Sequence, residues 1–149
     1  MTRTCEACRL TSGDAALSGG RIFQTTYWVV EHCIGALGVG TLIVKPFRHT
    51  VHLSDLTAEE TAELGPLLQR TAQIIQVLAA ADQVYVCLWS HSAWEPVHIH
   101  FVLQPAWNAL RERYPGPGPF LQVSMFEARE PLDPIAVQEF CDRARRALQ

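Results

Sequence analysis

The chain has 149 residues, of which 48% are hydrophobic and 18% charged, which suits one globular domain (1–149) with one real core. Its net charge of −3, with no long basic run, excludes binding to a nucleic-acid backbone by bulk electrostatics. No apolar stretch approaches the roughly 18 residues of a membrane span. The opening "MTRTCEACRLTSG" lacks the apolar centre of a signal peptide, so the expectation is a cytoplasmic protein whose five cysteines are reduced.

A glycine-rich lead-in ends at Gly19 and Gly20, and "RIFQTTYWVVEH" (21–32), rich in β-branched and aromatic residues, reads as a strand. "CIGALGVG" is a glycine-punctuated connection, and "TLIVKP" the next strand. Thr57 with Glu60 three residues later has the form of a capping box. Behind it Leu64, Leu67, Leu68, Thr71, Ile74, Ile75 and Leu78 recur at helical spacing, with Gly65-Pro66 placed to offset or kink the helix. "QVYVCLW" is a strand, "SHSAWE" a short loop and "VHIHFVL" another strand. "RYPGPGPF" reads as a surface loop or lid, "LQVSMFE" as a last strand. Asp133-Pro134 makes an N-cap and first helical position, and Val137, Phe140, Cys141, Ala144 and Leu148 form one apolar stripe on a closing helix. Five strand-like segments and two main helices that do not alternate with them point to an α+β fold with a mainly antiparallel sheet.

Three constellations carry chemistry. Cys5-Glu-Ala-Cys8 can bite one zinc, but a structural site needs four ligands. Cys33, Cys87 and Cys141 are scattered, so the histidines (His32, His49, His52, His91, His98, His100) must complete any such site; otherwise these are two incidental thiols. In "PVHIHFVLQP" (Pro96–Pro105), His98 and His100 leave the same strand face while Val97, Ile99, Phe101 and Leu103 take the other, with the prolines marking the limits. A metal site of His-x-His type would want a nearby carboxylate downstream, and the nearest acid is Glu95, upstream. A nucleophilic site needs one imidazole with a free nitrogen whose other nitrogen is held by a fixed acceptor. The third constellation, Lys45, Arg48 and His49 at a strand tip, is apt for phosphate, or is simply solvated.

Taken in order, the Cys-x-x-Cys, the strand running into "KPFRH", the capped helix, the next strand and "PVHIHFVLQP" resemble the histidine-triad (HIT) family of nucleotide hydrolases and transferases, in an actinobacterial-type member. The similarity spans roughly residues 5–105, leaving 106–149 as a C-terminal loop, strand and helix. The resemblance implies a HIT-like fold with a five-stranded sheet and two main helices. The family pattern is His-x-His-x-His, the middle histidine attacking an α-phosphate. Laid on this chain with Pro96 first, it makes His98 the nucleophile and puts His100 on the phosphate or leaving group. It implies a structural zinc on Cys5, Cys8 and His49, with His91 or Glu95 as the fourth ligand, and no catalytic metal. Glu31 matches the acid that holds the ribose, and Ser90 or Ser92 stands in for a phosphate-binding asparagine. The implied substrates are adenosine 5′-phosphate derivatives, phosphoramidates or dinucleoside polyphosphates, and the implied assembly is a homodimer through the long helix and a sheet edge. No nucleic-acid or membrane partner is expected. The rival is a nucleotide-binding module that has lost catalysis with its first histidine.

Overall fold

Thr25 decides the first feature of the architecture. Its Oγ1 accepts from the backbone N–H of Tyr27 (3.1 Å) and Trp28 (2.9 Å), folding "RIFQTTYWVVEH" into a hairpin of β1 (Arg21–Gln24) and β2 (Trp28–His32) rather than one strand. The computed structural model describes residues 5–92, 95–114, 116 and 118–149. β3 (Leu42–Pro46), β4 (Gln83–Ser92) and β5 (Glu95–Ala106) complete a five-stranded sheet in the order β1-β2-β3-β5-β4, antiparallel throughout. The fold is α+β, as the sequence implies.

Two helices cover one face. α2 (Ala58–Leu78) begins with the expected capping box: Thr57 Oγ1 accepts from Glu60 N, and the Glu60 carboxylate accepts from Thr57 N. Pro66 does not interrupt it. The Ala62 carbonyl that Pro66 leaves without a helical donor belongs to an exposed residue, where water can replace the bond. α5 (Pro134–Leu148) starts on Asp133, whose carboxylate accepts from Ile135 N, and buries the whole predicted stripe from Val137 to Leu148. These helices pack on Trp28, Val30, Leu42, Val44 and Leu103. At Gly19, φ is +76°, and a Cβ would lie 2.3 Å from Cys141 Sγ, so the lead-in can cross α5 only as glycine.

The opposite face carries Cys33, Ile43, Val102 and Ala106 beneath Tyr114, Leu121 and Met125. α1 (Glu6–Ser12), the single turn α3 (Leu110–Arg113) and α4 (Pro119–Ala128) belong to the chain's remaining helices. α4 corrects the expected last strand. "LQVSMFE" has apolar residues on every side of the helix: Leu121 and Met125 face inward, Val123 and Phe126 outward. That pattern carries no 3.6-residue period, and the informative signal was Pro119 at the first helical position after Gly118. Ser90 to Ser92 belong to β4 rather than a loop, while Ala93 and Trp94 lie outside the described residues. Pro115 and Pro117, on which the lid reading rests, also lie outside them. The two bracketing prolines fall inside β5 and do not end it. β3 pairs only with Phe101 to Leu103, so neither proline has to donate in that direction. Among the described residues, no helix is long and apolar enough to cross a membrane.

Candidate functional site

The alternation expected of "VHIHFVL" holds: Phe101 and Leu103 pack with the helix-covered core, while His98 and His100 face the other side. Opposite them stands α1. Cys5 is its N-cap residue and Cys8 lies in its first turn, so one short helix delivers both thiols together. His49 arrives three residues after β3. The sulfur atoms of Cys5 and Cys8 and ring nitrogens of His49 and His98 all lie within 4.8 Å of one another.

The distances fit a tetrahedral ion. Zn–S of about 2.3 Å and Zn–N of about 2.0–2.1 Å put sulfur and nitrogen about 3.6 Å apart on a tetrahedron. Here His98 Nδ1 is 3.8 Å from Cys5 Sγ and 3.6 Å from Cys8 Sγ, and His49 Nδ1 is 3.4 Å from Cys8 Sγ. His98 Nε2 lies 3.0 Å from the Pro46 carbonyl. A carbonyl only accepts, so Nε2 carries the proton and the Nδ1 lone pair is left for the cluster, the usual arrangement behind a ligating imidazole. Burial lowers this imidazole to about 4, which keeps it neutral.

The fourth member of the set is therefore His98, not His91 or Glu95. His91 is exposed with its Nδ1 3.2 Å from Ser90 Oγ, and it is not among the residues whose ligand atoms cluster. Glu95 is exposed at the start of β5. With both ring nitrogens engaged, His98 offers no free nitrogen to attack a phosphorus, so the nucleophilic role expected of it has no lone pair behind it.

His100 does. Its Nδ1 lies 3.0 Å from the His98 carbonyl and so holds the proton, while its Nε2 makes no hydrogen bond among the described residues. Burial, the largest influence, lowers its pKa and favours the neutral imidazole. His100 stands where two cavities meet. One, of about 220 Å³, is largely apolar and is lined by Ile43, Val102, Trp89 and Phe126 together with Glu31 and Lys45. The other, of about 580 Å³, runs past Cys5, His49, Ser92, Pro96 and His98. Glu6, Ala7 and His100 border both.

Glu31 lines the smaller cavity near the end of β2, and Lys45 is buried beside it rather than solvated at a strand tip. Period-two alternation on β3 turns Lys45 inward beside Ile43, and it is 1% exposed rather than solvated. Its Nζ donates to Glu31 Oε1 at 2.5 Å and to the Ala7 carbonyl at 2.9 Å, tying α1 to the sheet. Glu31 is 3% exposed, and its Oε2 has no hydrogen-bond partner. Burial raises its carboxyl pKa despite the lysine. Of the two serines, Ser92 borders the larger cavity with the histidines; Ser90 lies in a separate hollow against α4 with Gln122 and Val123. Cys33, Trp89 and Phe126 line the smaller cavity without having been singled out. Burial pushes the Cys33 thiol up to about 11, so it is a neutral wall group. His32 is a satisfied core histidine, held by the Cys33 carbonyl (2.8 Å) and Gly40 N–H (3.0 Å).

No family model matches the chain. In sequence it is similar to HIT-like proteins from two strains of Mycobacterium tuberculosis, each 27% identical over 106 residues, covering 70% of this chain and 72% of theirs. In structure it is similar to a zinc-bound histidine triad family protein from Mycobacterium smegmatis, with TM-score 0.69 and 26% identity over 97% of this chain and 93% of that one. A hypothetical histidine triad nucleotide-binding protein from Sulfolobus tokodaii superposes with TM-score 0.72 at 15% identity, covering 97% and 91%, a likeness of fold alone.

Proposed function

The chain is a HIT-like protein in its fold and in its relatives, and on that premise we propose that it hydrolyses or transfers nucleotidyl groups with His100 as the nucleophile. The observation that carries this reading is the free Nε2 of His100, fixed at the junction of an apolar cavity and a larger, more polar one. The family pattern then lies two residues further along than the sequence reading put it: His98 first, His100 in the middle, Val102 third. The first histidine is the one that ligates metal in zinc-bearing relatives, and His98 is the one in the Cys/His cluster.

On this reading the ring of an adenosine 5′-phosphate derivative enters the smaller cavity, and its α-phosphate lies against His100. Nε2 attacks phosphorus, the bond to the leaving group breaks, and a nucleotidyl-histidine forms. The leaving group departs with its electron pair and takes a proton in the larger cavity, where Ser92 supplies a hydroxyl. The His98 carbonyl, accepting from Nδ1–H, stabilises the imidazolium character that develops. Water or another hydroxyl acceptor then attacks phosphorus from the larger cavity and loses its proton to solvent there, and the P–N bond breaks with its electron pair returning to Nε2, which restores His100 and releases the nucleotide. Cys5, Cys8, His49 and His98 would hold a structural zinc, which would supply a cross-link between α1 and β5. The binding partners on this reading are a nucleotide and a second copy of the chain, with neither nucleic acid nor membrane. The ten-residue edge strand β4, with Val86 and Leu88 exposed, is the face for the second copy, since an unpaired edge is otherwise an association hazard.

The second reading, a binding module without catalysis, is favoured by Val102, which leaves no third imidazole to assist the leaving group. Turnover of a fluorogenic AMP phosphoramidate separates the two. Cleavage that is lost in His100→Ala, with a nucleotide mass trapped on His100 in the wild type, is the expected result. Binding without cleavage makes the chain a module, and near-normal turnover by His100→Ala overturns the mechanism.

A further inference from the structure

The smaller cavity carries a feature that an apolar ring pocket has no need of. Its walls are Leu10, Ile43, Val102, Trp89 and Phe126, yet its lining includes a glutamate and a lysine that are almost wholly withdrawn from solvent. A buried ion pair is weak as a source of stability, because removing two charges from water costs about as much as their attraction returns; apolar residues of similar volume commonly do as well or better. The pair is also incomplete. Glu31 Oε1 is held by Lys45, while Oε2, equally buried, has no partner. A buried acceptor without a donor is costly, and more so when charged. Among the described residues two other buried side-chain atoms lack partners, Thr71 Oγ1 and Gln104 Oε1, but both belong to neutral groups, and neither residue lines this cavity. Lys45, for its part, places two N–H bonds, on Glu31 Oε1 and the Ala7 carbonyl, out of the three an ammonium offers.

We propose that Glu31 is a specificity residue: on ligand entry its carboxylate turns, and the unpartnered Oε2 accepts an N–H donor from the edge of a flat heteroaromatic ring seated in this cavity. The inference rests on the nucleotide reading above and adds to it a choice among rings. The remaining Lys45 N–H sets a donor beside that acceptor, so the complementary edge pairs an N–H with a neighbouring ring nitrogen or carbonyl, as an amino-substituted purine does. Apolar walls sort by shape and would accept a ring with or without the amine. A buried carboxylate oxygen discriminates strongly, because a ring without the donor leaves it unpaired. A volume of about 220 Å³ lies below the ~300–1,000 Å³ of sites for drug-sized ligands, which suits one ring system with its sugar and phosphate outside.

The assignment also changes what is expected of Glu31. As a ribose ligand it would discriminate ribonucleotides from deoxyribonucleotides; as a ring reader it is indifferent to the sugar and sensitive to the ring substituent.

The test compares two ligands that differ by one amine, AMP and purine riboside 5′-monophosphate, by calorimetry on the wild-type protein as purified. AMP is expected to bind about ten- to a hundredfold more tightly, the range of one hydrogen bond to a charged acceptor. In Glu31→Gln the amide oxygen turns to Lys45 and its NH₂ faces the ring, so the preference for the amine should vanish; deoxy-AMP should bind wild type like AMP. Equal binding of the two ligands by wild type overturns the role of Glu31 and leaves the nucleotide reading standing. A preference that survives in Glu31→Gln overturns it as well. Binding of neither ligand overturns the nucleotide reading and the inference with it. Because the decisive change is in the ligand, the experiment stands even where Glu31→Gln folds poorly.

Discussion

Glu60 and Glu31 are both glutamates sealed from solvent, at 2% and 3% exposure, and each meets one cation, yet their carboxyl pKa values move in opposite directions. Glu60 accepts from Arg48 Nε (2.6 Å) and Nη2 (2.7 Å) and from Thr57 N (2.8 Å), at the positive end of α2. The arginine fork, above all, holds it below the usual carboxylate range. Glu31 has one bond, from Lys45, and burial wins: its carboxyl is raised. The difference separates a carboxylate that closes a structure from one that leaves a structure open. Glu60 has both oxygens engaged and serves the helix start. Glu31 keeps an oxygen in reserve where a cavity meets the sheet.

The sharpest way to break this comparison is to remove the cations. Lys45→Met strands a buried carboxylate and should cost about 3–5 kcal/mol in urea unfolding, whereas Lys45→Met combined with Glu31→Met should recover most of it. A double variant as unstable as the single one would show that Lys45 acts by packing rather than charge. Glu60→Ala removes the reciprocal cap and should cost about 1–2 kcal/mol in the same assay.

Acid titration sharpens the contrast, because the two signs are opposite. The folded-state pKa of Glu60 is depressed, so its stabilisation is present above the unfolded value of about 4.5 and is lost as pH falls below that through the depressed value. The folded-state pKa of Glu31 is raised, so the folded protein binds its proton more tightly, and stability declines as pH rises from about 4.5 through the raised value. Melting curves between about pH 3 and 7 should therefore bring wild type and Glu60→Gln together toward acid. Over the same range Glu31→Gln should gain on wild type as pH rises. Slopes of the same sign would erase the distinction. The smallest effect is expected for Arg48→Lys: the side chain is 44% exposed, and exchanging its fork for a point charge should shift stability by no more than about 1 kcal/mol.

Where the sequence was legible, the signal was local and repeated. Thr57 with Glu60, Asp133 with Pro134, and the stripe from Val137 to Leu148 each sit where their spacing put them. α4 was illegible because its apolar residues surround it, so no period distinguished helix from strand. The hairpin at Thr25 was hidden by β-branched residues on both sides of the turn. In the site, strand alternation placed His98 and His100 on one face, but alternation is silent about which imidazole meets Cys5 and Cys8. That depends on the approach of α1 and of the Pro46 carbonyl from β3, both tertiary facts. Lys45 shows the limit from the other side. Its inward position follows from the same period-two rule that reads Ile43 as core, but a lysine next to Pro46 reads as solvated until Glu31 is known to lie diagonally from it on β2.

The Cys/His cluster also sets an order of events during synthesis. Cys5 and Cys8 are separated from His98 by 93 and 90 residues, so the thiols leave the ribosome long before the imidazole that completes their set. Helix α1 has seven residues, too few to persist alone in water, and its tie to Lys45 needs β3. Helix α1 is thus made well before β3 and β5, which anchor it, and its two thiols are without those partners in the interval.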